Sequence, residues 1–264
     1  MKKFLSVLIL GGFVSFVACN KNDSTSTAGN ASINIHLVDG PAAYDKVYID
    51  IQDVQVKAED DVTETGWKSL NVPRKGIYNL LNFKNGLDTL LGSLSLPAGK
   101  ISQLRLVLGA NNSIVLNGVN YPLQTPSAQQ SGLKLSINTT LSAGVDYHFW
   151  IDFDAARSIV QTGNNSYILK PVIKVFTQAT SGAIRGIVLP GSAKTWVYAI
   201  ANVNDTIVST LADSFTGGFL LRGVPAASYK VAFQSTSGGY RDTTYNNVSV
   251  TNGAVTDLGT IQLR

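Results

Sequence analysis

The sequence has few of the residues from which metal centres and disulfide frameworks are built. Its 264 residues include one cysteine and two histidines, which excludes an intramolecular disulfide, a thiolate zinc site and a three-histidine zinc site. Any metal would therefore need oxygen ligands, and we expect neither a metal nor a cofactor. Charged residues are also scarce, at 14%, whereas 44% of the residues are hydrophobic. The chain thus has enough apolar surface to bury a core and is expected to be globular.

The excess of positive charge is small and lies partly at the N-terminus. Lys and Arg together number 21, against 17 Asp and Glu. Lys2 and Lys3 belong to a segment that we expect to be removed, which leaves 19 basic against 17 acidic residues. This balance gives no basic surface for a polyanion, so we expect no nucleic-acid partner.

The first nineteen residues have the layout of a secretory signal. Lys2 and Lys3 precede an apolar run from Phe4 to Val17, which is shorter than the about 20 residues needed to span a membrane. The stretch Phe16-Val17-Ala18-Cys19 resembles the bacterial lipobox, in which a leader peptidase cleaves before a cysteine that carries diacylglycerol. The resemblance implies a lipoprotein signal peptide over residues 1–18 and lipid attachment, with acyl chains such as palmitate, at Cys19. An ordinary secretory leader with an incidental cysteine is the alternative.

Residues 19–31 are predicted to be a flexible tether between the lipid and the folded protein. The stretch from Asn20 to Asn30 is polar and has no aliphatic residue larger than alanine, so it cannot bury enough apolar surface to offset the entropy of ordering. Several acyl chains on Cys19 would give stable membrane attachment. No aspartate follows Cys19 directly, so the resemblance implies an outer-membrane location, with the choice of leaflet open.

Short runs of alternating apolar and polar residues cover the chain from Ser32 onward, which is the pattern of half-buried strands. In Lys46–Lys57 the apolar residues occupy odd-numbered positions before Asp53 and even-numbered positions after it. This change of phase predicts a β-bulge at Asp53. Only Ile77–Ser93, with its leucine-rich face, and Ala155–Val160 are predicted to be helical. The other strand candidates are Ile33–Leu37, Trp67–Val72, Ile101–Leu108, Ser113–Leu116, Leu133–Ile137, Tyr147–Phe153 and Tyr167–Phe176. Many strands and few helices predict an all-β protein made of two tandem β-sandwiches.

A run of small and polar residues at Thr177–Ala183 separates two strand-rich blocks. We therefore predict an N-terminal β-sandwich over residues 32–178 and a second one over residues 182–264, consistent with about 100–200 residues per domain.

The second block resembles the carboxypeptidase regulatory-like domain. The resemblance implies a transthyretin-like β-sandwich grouped with carbohydrate-binding-like folds, with a structural or ligand-presenting role and no catalysis. It is carried by Ile184-Arg185-Gly186-Ile187-Val188, Asp213 through Gly217-Gly218-Phe219-Leu220-Leu221, Gly223-Val224-Pro225, Ala226-Ala227-Ser228-Tyr229, Gly239-Tyr240 and Val248-Ser249-Val250.

The first block resembles a bacterial lipoprotein domain of unknown function. The resemblance implies a family and no activity. It is carried by Leu37-Val38-Asp39-Gly40-Pro41-Ala42 with Tyr44-Asp45, Leu96-Pro97-Ala98-Gly99-Lys100 with Gln103-Leu104-Arg105-Leu106, Tyr121-Pro122-Leu123-Gln124-Thr125-Pro126-Ser127, Asp152-Phe153-Asp154-Ala155-Ala156-Arg157-Ser158 and Leu169-Lys170-Pro171.

One predicted strand, Tyr147–Asp154, concentrates the residues that could contact a ligand. Strand alternation places His148, Trp150, Asp152 and Asp154 on one face, with Arg157 just beyond. A tryptophan among polar groups is the composition of a sugar platform. The alternative is a structural role, with Trp150 buried under the helical segment and either aspartate paired to Arg157 or Arg105. Asp152 and Asp154 are also roughly 7 Å apart along a strand, within the span of glycosidase acid and base pairs, but we predict no catalytic residue.

Other polar residues are interpreted as structural or solvated. Asp39, Asp45, Asp50 and Asp53, together with Glu59-Asp60-Asp61, match no calcium-loop spacing and are predicted to form a solvated acidic edge. His36 is expected to be a surface residue without a partner. Four triplets that begin at Asp23, Asp88, Asp205 and Asp242 look like the O-glycosylation acceptors of some Gram-negative lipoproteins.

From the sequence we therefore expect a non-catalytic outer-membrane lipoprotein that binds a glycan or an envelope protein, as a binding or adhesion module. The alternative is a structural or assembly subunit of the envelope or of a surface fibre, whose sheet edges would pair with another chain. The third hypothesis is a hydrolase that uses Asp152 and Asp154.

Overall fold

A computed structural model describes residues 29–40, 42–58, 63, 65–125, 132–202 and 205–264. The predicted signal peptide, Cys19, the predicted tether up to residue 28 and the Glu59-Asp60-Asp61 segment lie outside the described residues. Within the described part of the chain, no helix is long and apolar enough to cross a membrane.

The described residues are almost entirely β-structure, so the all-β prediction is confirmed. The one α-helix described, α1, spans Ala155–Ser158, and short 3-10 turns lie at Leu80–Phe83, Gly163–Asn165 and Gly191–Ala193. The strands are β1 Asn30–Gly40, β2 Lys46–Ala58, β3 Trp67–Ser69, β4 Gly76–Asn79, β5 Thr89–Pro97, β6 Gly99–Leu108, β7 Ser113–Leu116, β8 Val119–Gln124, β9 Leu133–Leu141, β10 Asp146–Asp154, β11 Ile159–Gln161, β12 Tyr167–Leu169, β13 Ile173–Phe176, β14 Gly182–Leu189, β15 Thr195–Ile200, β16 Thr206–Leu211, β17 Gly218–Val224, β18 Ala227–Ser235, β19 Thr243–Val250 and β20 Val255–Gln262.

The first block packs a four-stranded sheet, in the order β13-β10-β1-β5, against a larger sheet built around β2 and β6. In the four-stranded sheet, β1 and β10 lie side by side and run parallel, with His36 opposite Trp150. Every second residue of β1, at Ile33, Ile35 and Leu37, is buried in the core between the sheets, because side chains alternate across a pleated strand.

The second block encloses a separate core between a three-stranded sheet, β17-β14-β20, and a four-stranded sheet, β16-β15-β18-β19. Ile184, Val197, Leu221 and Phe233 are fully buried there. The first cluster of buried residues runs from Ala31 to Leu169 and the second from Ile184 to Leu263, so each block has a core of its own.

Two local predictions are confirmed and one is wrong. The register between β2 and β6 shifts between Ile51 and Asp53, which is the predicted bulge, and the predicted helix at Ala155–Val160 exists as α1 over its first four residues. The helix predicted over Ile77–Ser93 is wrong, because this segment forms β4, a 3-10 turn and the start of β5.

The reason for that error is visible in the backbone. Asn85 and Gly86 have positive φ values of 54° and 86°, which no α-helix accommodates. The leucines do not share a face either, since Leu80 and Leu91 are buried whereas Leu87 and Leu90 are exposed. β5 instead pairs with β1 in the first sheet.

The second block docks on the outer face of the β13-β10-β1-β5 sheet through β16, β17 and the loop before β5. Thr210 donates a hydrogen bond to Asn85 Oδ1 at 2.8 Å, and Lys174 Nζ donates to the carbonyl of Ile207 at 2.6 Å. Gly223 packs so closely on Phe176 that a Cβ atom there would lie 2.6 Å from the ring. The contact face of β10 is the face on which the sequence places the candidate ligand residues.

Candidate functional site

Strand β10 divides its side chains between the first core and the domain junction. Phe149, Ile151 and Phe153 are buried in the core between the two sheets. The residues between them point to the other side of the sheet, towards the second block, because successive side chains alternate. The structure distributes the five predicted ligand residues over two places on that side.

Trp150 lies inside the junction and is only 7% exposed. Its ring stacks on Phe176 at 5.8 Å between centroids and on His36 at 5.2 Å. The guanidinium of Arg222 lies 5.9 Å from the same ring. Because neighbours occupy its faces, Trp150 cannot serve as a sugar platform in this arrangement. It is buried by the second block and the Asp88 loop rather than by a helix.

Asp88 connects the two blocks through this cluster. Its Oδ2 accepts hydrogen bonds from Trp150 Nε1 at 3.0 Å and from Arg222 Nη1 at 2.9 Å, and its Oδ1 lies 3.3 Å from His36 Nδ1. Burial raises the pKa of Asp88, but the hydrogen bonds from Trp150 and Arg222 and the neighbouring His36 outweigh it, so the pKa lies below its usual value.

His36 is therefore not the partnerless surface residue predicted from the sequence. It bonds to Asp88 on one side, and on the other its Nε2 lies 3.0 Å from Nδ1 of His148. The outward-facing side of β1 meets the same side of β10 here, which the sequence could not indicate because the two histidines are 112 positions apart.

Asp152, Asp154 and Arg157 line a separate cleft of about 340 Å³ between the two blocks. Lys174 of β13 borders the same cleft, and the second block contributes Trp196 and Tyr198 of β15. The two aromatic rings are 6.0 Å apart between centroids, with 20° between their planes. The two rings are therefore stacked, and both line the cleft together with the charged groups.

The charged side chains of this cleft are balanced in sign. Asp154 Oδ1 accepts a hydrogen bond from the backbone N–H of Arg157 at 2.9 Å and so caps α1. The Arg157 guanidinium lies 3.8 Å from Asp154 and is 63% exposed. The predicted structural pairing is thus found for Asp154 with Arg157, whereas Arg105 lies elsewhere, stacked 3.9 Å from the Trp67 ring.

Asp152 is the aspartate with an unusual proton affinity. Burial, reinforced by the charge of Asp154, raises its pKa to about 6, and Lys174 and a hydrogen bond from the backbone of Gly40 only partly oppose the shift. Near neutral pH this carboxyl group can accept a hydrogen bond, and just below pH 6 it can also donate one. Both roles suit the recognition of hydroxyl groups.

The four aspartates of the first hairpin do not form a solvated acidic edge, so that prediction is wrong. Asp39 and Asp50 are buried. Asp50 accepts hydrogen bonds from the backbone and the side chain of Asn111, and Asp53 accepts one from Ser69. Within the described ranges, no group of three or more His, Cys, Asp or Glu residues is arranged to hold a metal ion.

Three residues of the cleft are not among those predicted from the sequence, namely Lys174, Trp196 and Tyr198. A signal was present in Thr195–Ile200, where aromatic residues two positions apart on a strand must share a face. Lys174 gave no such signal, because only the pairing of β13 with β10 brings it opposite Asp152.

The structure thus defines an all-β protein of two blocks with a cleft between them. A family model for "Domain of unknown function (DUF4382)" matches residues 30–171, and the chain belongs to this family. No curated protein matches the chain.

Three solved structures resemble the chain only distantly. The Bacillus anthracis TIE protein is 11% identical with a TM-score of 0.23, over 89% of this chain and 34% of the other, so the chain spans about a third of its length. GBS52, the minor pilin of Streptococcus agalactiae, is 11% identical with a TM-score of 0.23, over 89% and 95% of the two chains. The shaft pilin SpaA from Lactobacillus rhamnosus GG is 9% identical with a TM-score of 0.22, over 89% and 96%. Similarity at this level says nothing about function.

Proposed function

We propose that the protein is a non-catalytic glycan-binding module and that its binding site is the cleft between the two blocks. The observation that carries the proposal is the aromatic pair Trp196 and Tyr198, which faces Asp152, Arg157 and Lys174 across a cleft of about 340 Å³. This volume is at the lower end of the range of small-molecule sites.

The two halves of the cleft match the two kinds of surface on a sugar. The CH-rich face of a pyranose packs on an aromatic ring, and the hydroxyl groups around its edge need donors and acceptors. The stacked rings of Trp196 and Tyr198 offer aromatic surface, and the other lining residues offer two carboxylates and two cations. Because the charges are balanced, the cleft favours a neutral glycan over a strongly acidic one.

The sequence resemblances support a location at the cell envelope. The lipobox-like segment ending at Cys19 supports a lipid-anchored protein of the outer membrane. The resemblance of residues 182–264 to the carboxypeptidase regulatory-like domain supports a ligand-presenting second block, which here contributes the aromatic wall. A protein ligand of the envelope is the other partner that this proposal includes.

Glycan binding is tested with protein that lacks residues 1–19. A glycan array identifies an oligosaccharide, and calorimetry then compares it with Trp196→Ala and Tyr198→Ala. We expect each variant to weaken binding about fivefold or more, since stacking on an aromatic ring contributes about 1 kcal/mol or more. Tyr245→Ala, in the edge strand β19 and outside the cleft, is the matched control and should bind normally. Unchanged affinity in both cleft variants would refute the site, and no binding to any glycan or envelope protein would refute the function.

A structural or assembly role is the second candidate, and one observation favours it. Strand β20 lies at the edge of the three-stranded sheet in the second block, and edge strands present backbone groups that another chain can pair with. Light scattering over a range of concentrations distinguishes the candidates, because an assembly subunit should grow in mass and a glycan-binding monomer should not.

The hypothesis that the protein is a hydrolase is the least favoured of the three. Asp154 is engaged as the cap of α1 and as the partner of Arg157, which leaves Asp152 without a free second carboxylate. Turnover of a bound glycan that is lost in both Asp152→Asn and Asp154→Asn would overturn the non-catalytic assignment.

A further inference from the structure

The sequence contains only two histidines, and the fold brings both to one point. His36 of β1 and His148 of β10 lie on the outer face of the same sheet, on neighbouring parallel strands. Nε2 of His36 lies 3.0 Å from Nδ1 of His148. The ring centroids are 5.3 Å apart, so the rings approach each other through these two nitrogens.

Asp88 determines which nitrogen of His36 is available. Its carboxylate lies 3.3 Å from Nδ1 of His36. In the tautomer that carries its proton on Nδ1, His36 donates to Asp88, and the lone pair of Nε2 is directed at Nδ1 of His148. A carboxylate behind an imidazole, with the opposite nitrogen unprotonated, is the arrangement that orients histidines as metal ligands.

We propose that His36 Nε2 and His148 Nδ1 together bind one divalent transition-metal ion. Metal–nitrogen bonds are about 2.0–2.1 Å, so two nitrogens that share an ion at an angle between about 90° and 110° are about 2.9–3.4 Å apart. The two nitrogens share a hydrogen bond at 3.0 Å, a separation that falls in this range. The ion would replace the proton between them, which moves to Nε2 of His148. His148 is exposed to solvent, so its ring can turn until its Nδ1 lone pair points to the ion, while Asp88 keeps the orientation of His36.

The site selects the metal by its ligands. Imidazole suits copper, nickel and zinc, and affinity is expected to be highest for Cu²⁺. The opposite oxygen of Asp88 is held by Trp150 and Arg222, so Asp88 orients His36 and is not itself a ligand. The described part of the chain offers no third ligand, so water completes the coordination and the affinity is moderate.

The ion would sit at the edge of the domain junction, outside the glycan cleft. His36 stacks on Trp150, and Asp88 bridges His36 to Arg222 of the second block. Because the cleft residues Trp196 and Tyr198 are not part of this cluster, metal binding is independent of the proposed glycan binding and can be tested whether or not the glycan is found.

The test uses the full chain in detergent, without a histidine tag and with Cys19→Ser, so that no thiol competes for the ion. Calorimetry measures Zn²⁺ binding, and electron paramagnetic resonance of added Cu²⁺ reports the number of coordinated nitrogens. We expect one ion per chain and hyperfine splitting from two imidazoles. His36→Gln and His148→Gln should each weaken binding about tenfold or more, and Asp88→Asn should do so about tenfold because it removes the orienting carboxylate.

Asp257→Asn, which removes an exposed carboxylate in the second block, is the control and should bind as the parent does. Circular dichroism checks that each variant is folded, and His148→Gln is the safest variant because His148 is exposed. Zn²⁺ affinity that is the same in the parent and in both histidine variants would overturn the proposal, and so would the absence of binding at about millimolar Zn²⁺.

Discussion

Two carboxyl groups on opposite faces of one sheet are held away from water. Asp39 lies on the core side of β1, where its Oδ1 accepts a hydrogen bond from the backbone of Ala155 and its buried Oδ2 has no hydrogen-bond partner. Asp152 lies on the outer side of β10, at the cleft. Burial is the largest cause of the raised pKa at both positions, because low-polarity surroundings disfavour the charged form.

The shift at Asp152 predicts how stability depends on pH. The folded protein keeps the proton up to about pH 6, whereas the unfolded chain loses it near pH 4. The favourable contribution is therefore complete below pH 4 and is lost as the pH rises to 6. We expect Asp152→Asn to be about 1–2 kcal/mol more stable than the parent at pH 7 and nearly equal to it at pH 4. Urea unfolding at the two values measures this, and a pH-independent difference would contradict it.

Asp39→Asn gives a second residue-scale prediction. Asparagine keeps the acceptor for the N–H of Ala155 and removes the buried charge, so the variant should gain about 1 kcal/mol of unfolding free energy at pH 7.5. The gain should shrink as the pH falls to 4 and below, because the parent carboxyl group is then increasingly protonated in the unfolded state as well. Asp45→Asn serves as the comparison, and destabilisation of Asp39→Asn at pH 7.5 would show that the carboxylate is needed.

At the scale of elements, the fit of the second block depends on a close approach of β17 to β13. Gly223 in β17 has a φ of 67°, and a Cβ atom there would meet the Phe176 ring. We expect Gly223→Ala to lower the free energy of unfolding by about 2 kcal/mol or more, from backbone strain and steric conflict together. Gly144→Ala, with a φ of 74° and no atom within 4 Å of the added Cβ, isolates the backbone strain and should cost about 1 kcal/mol. Equal losses in urea unfolding would mean that the contact with Phe176 can relax.

The sequence predicts strands well where the signal is local. Alternation locates β1, β2, β6, β7 and β10, and a change of parity locates the bulge at Asp53. The segment Ile77–Ser93 is wrongly predicted to be helical because its leucines occur at helical spacing. The positive φ values of Asn85 and Gly86 interrupt any helix there, and β5 pairs with β1 instead. Strand order and pairing depend on contacts between distant residues, so the meeting of His36 with His148 and of Lys174 with Asp152 has no local signature.

At the scale of the whole molecule, the prediction concerns attachment of the protein to the membrane through a lipid on Cys19. If Cys19 carries the lipid, Cys19→Ser should abolish incorporation of labelled palmitate and move the protein from the membrane fraction to the soluble fraction or to an uncleaved precursor. The substitution lies far in sequence from both cores, so the circular dichroism of the folded part should not change. A parent protein that takes up no labelled palmitate and fractionates as Cys19→Ser does would indicate an ordinary secretory leader.

Strand β1 also sets the distance between the N-terminal end of the fold and the cleft. At its start, the carbonyl of Asn30 accepts a hydrogen bond from Gly144 and Gly29 bonds to Ala98, whereas at its end Gly40 borders the cleft. Eleven residues of strand span about 36 Å. In a protein anchored through Cys19, this strand would add its length to that of the predicted tether between the lipid and the cleft. Large polymers that cannot approach the membrane closely could therefore still reach it.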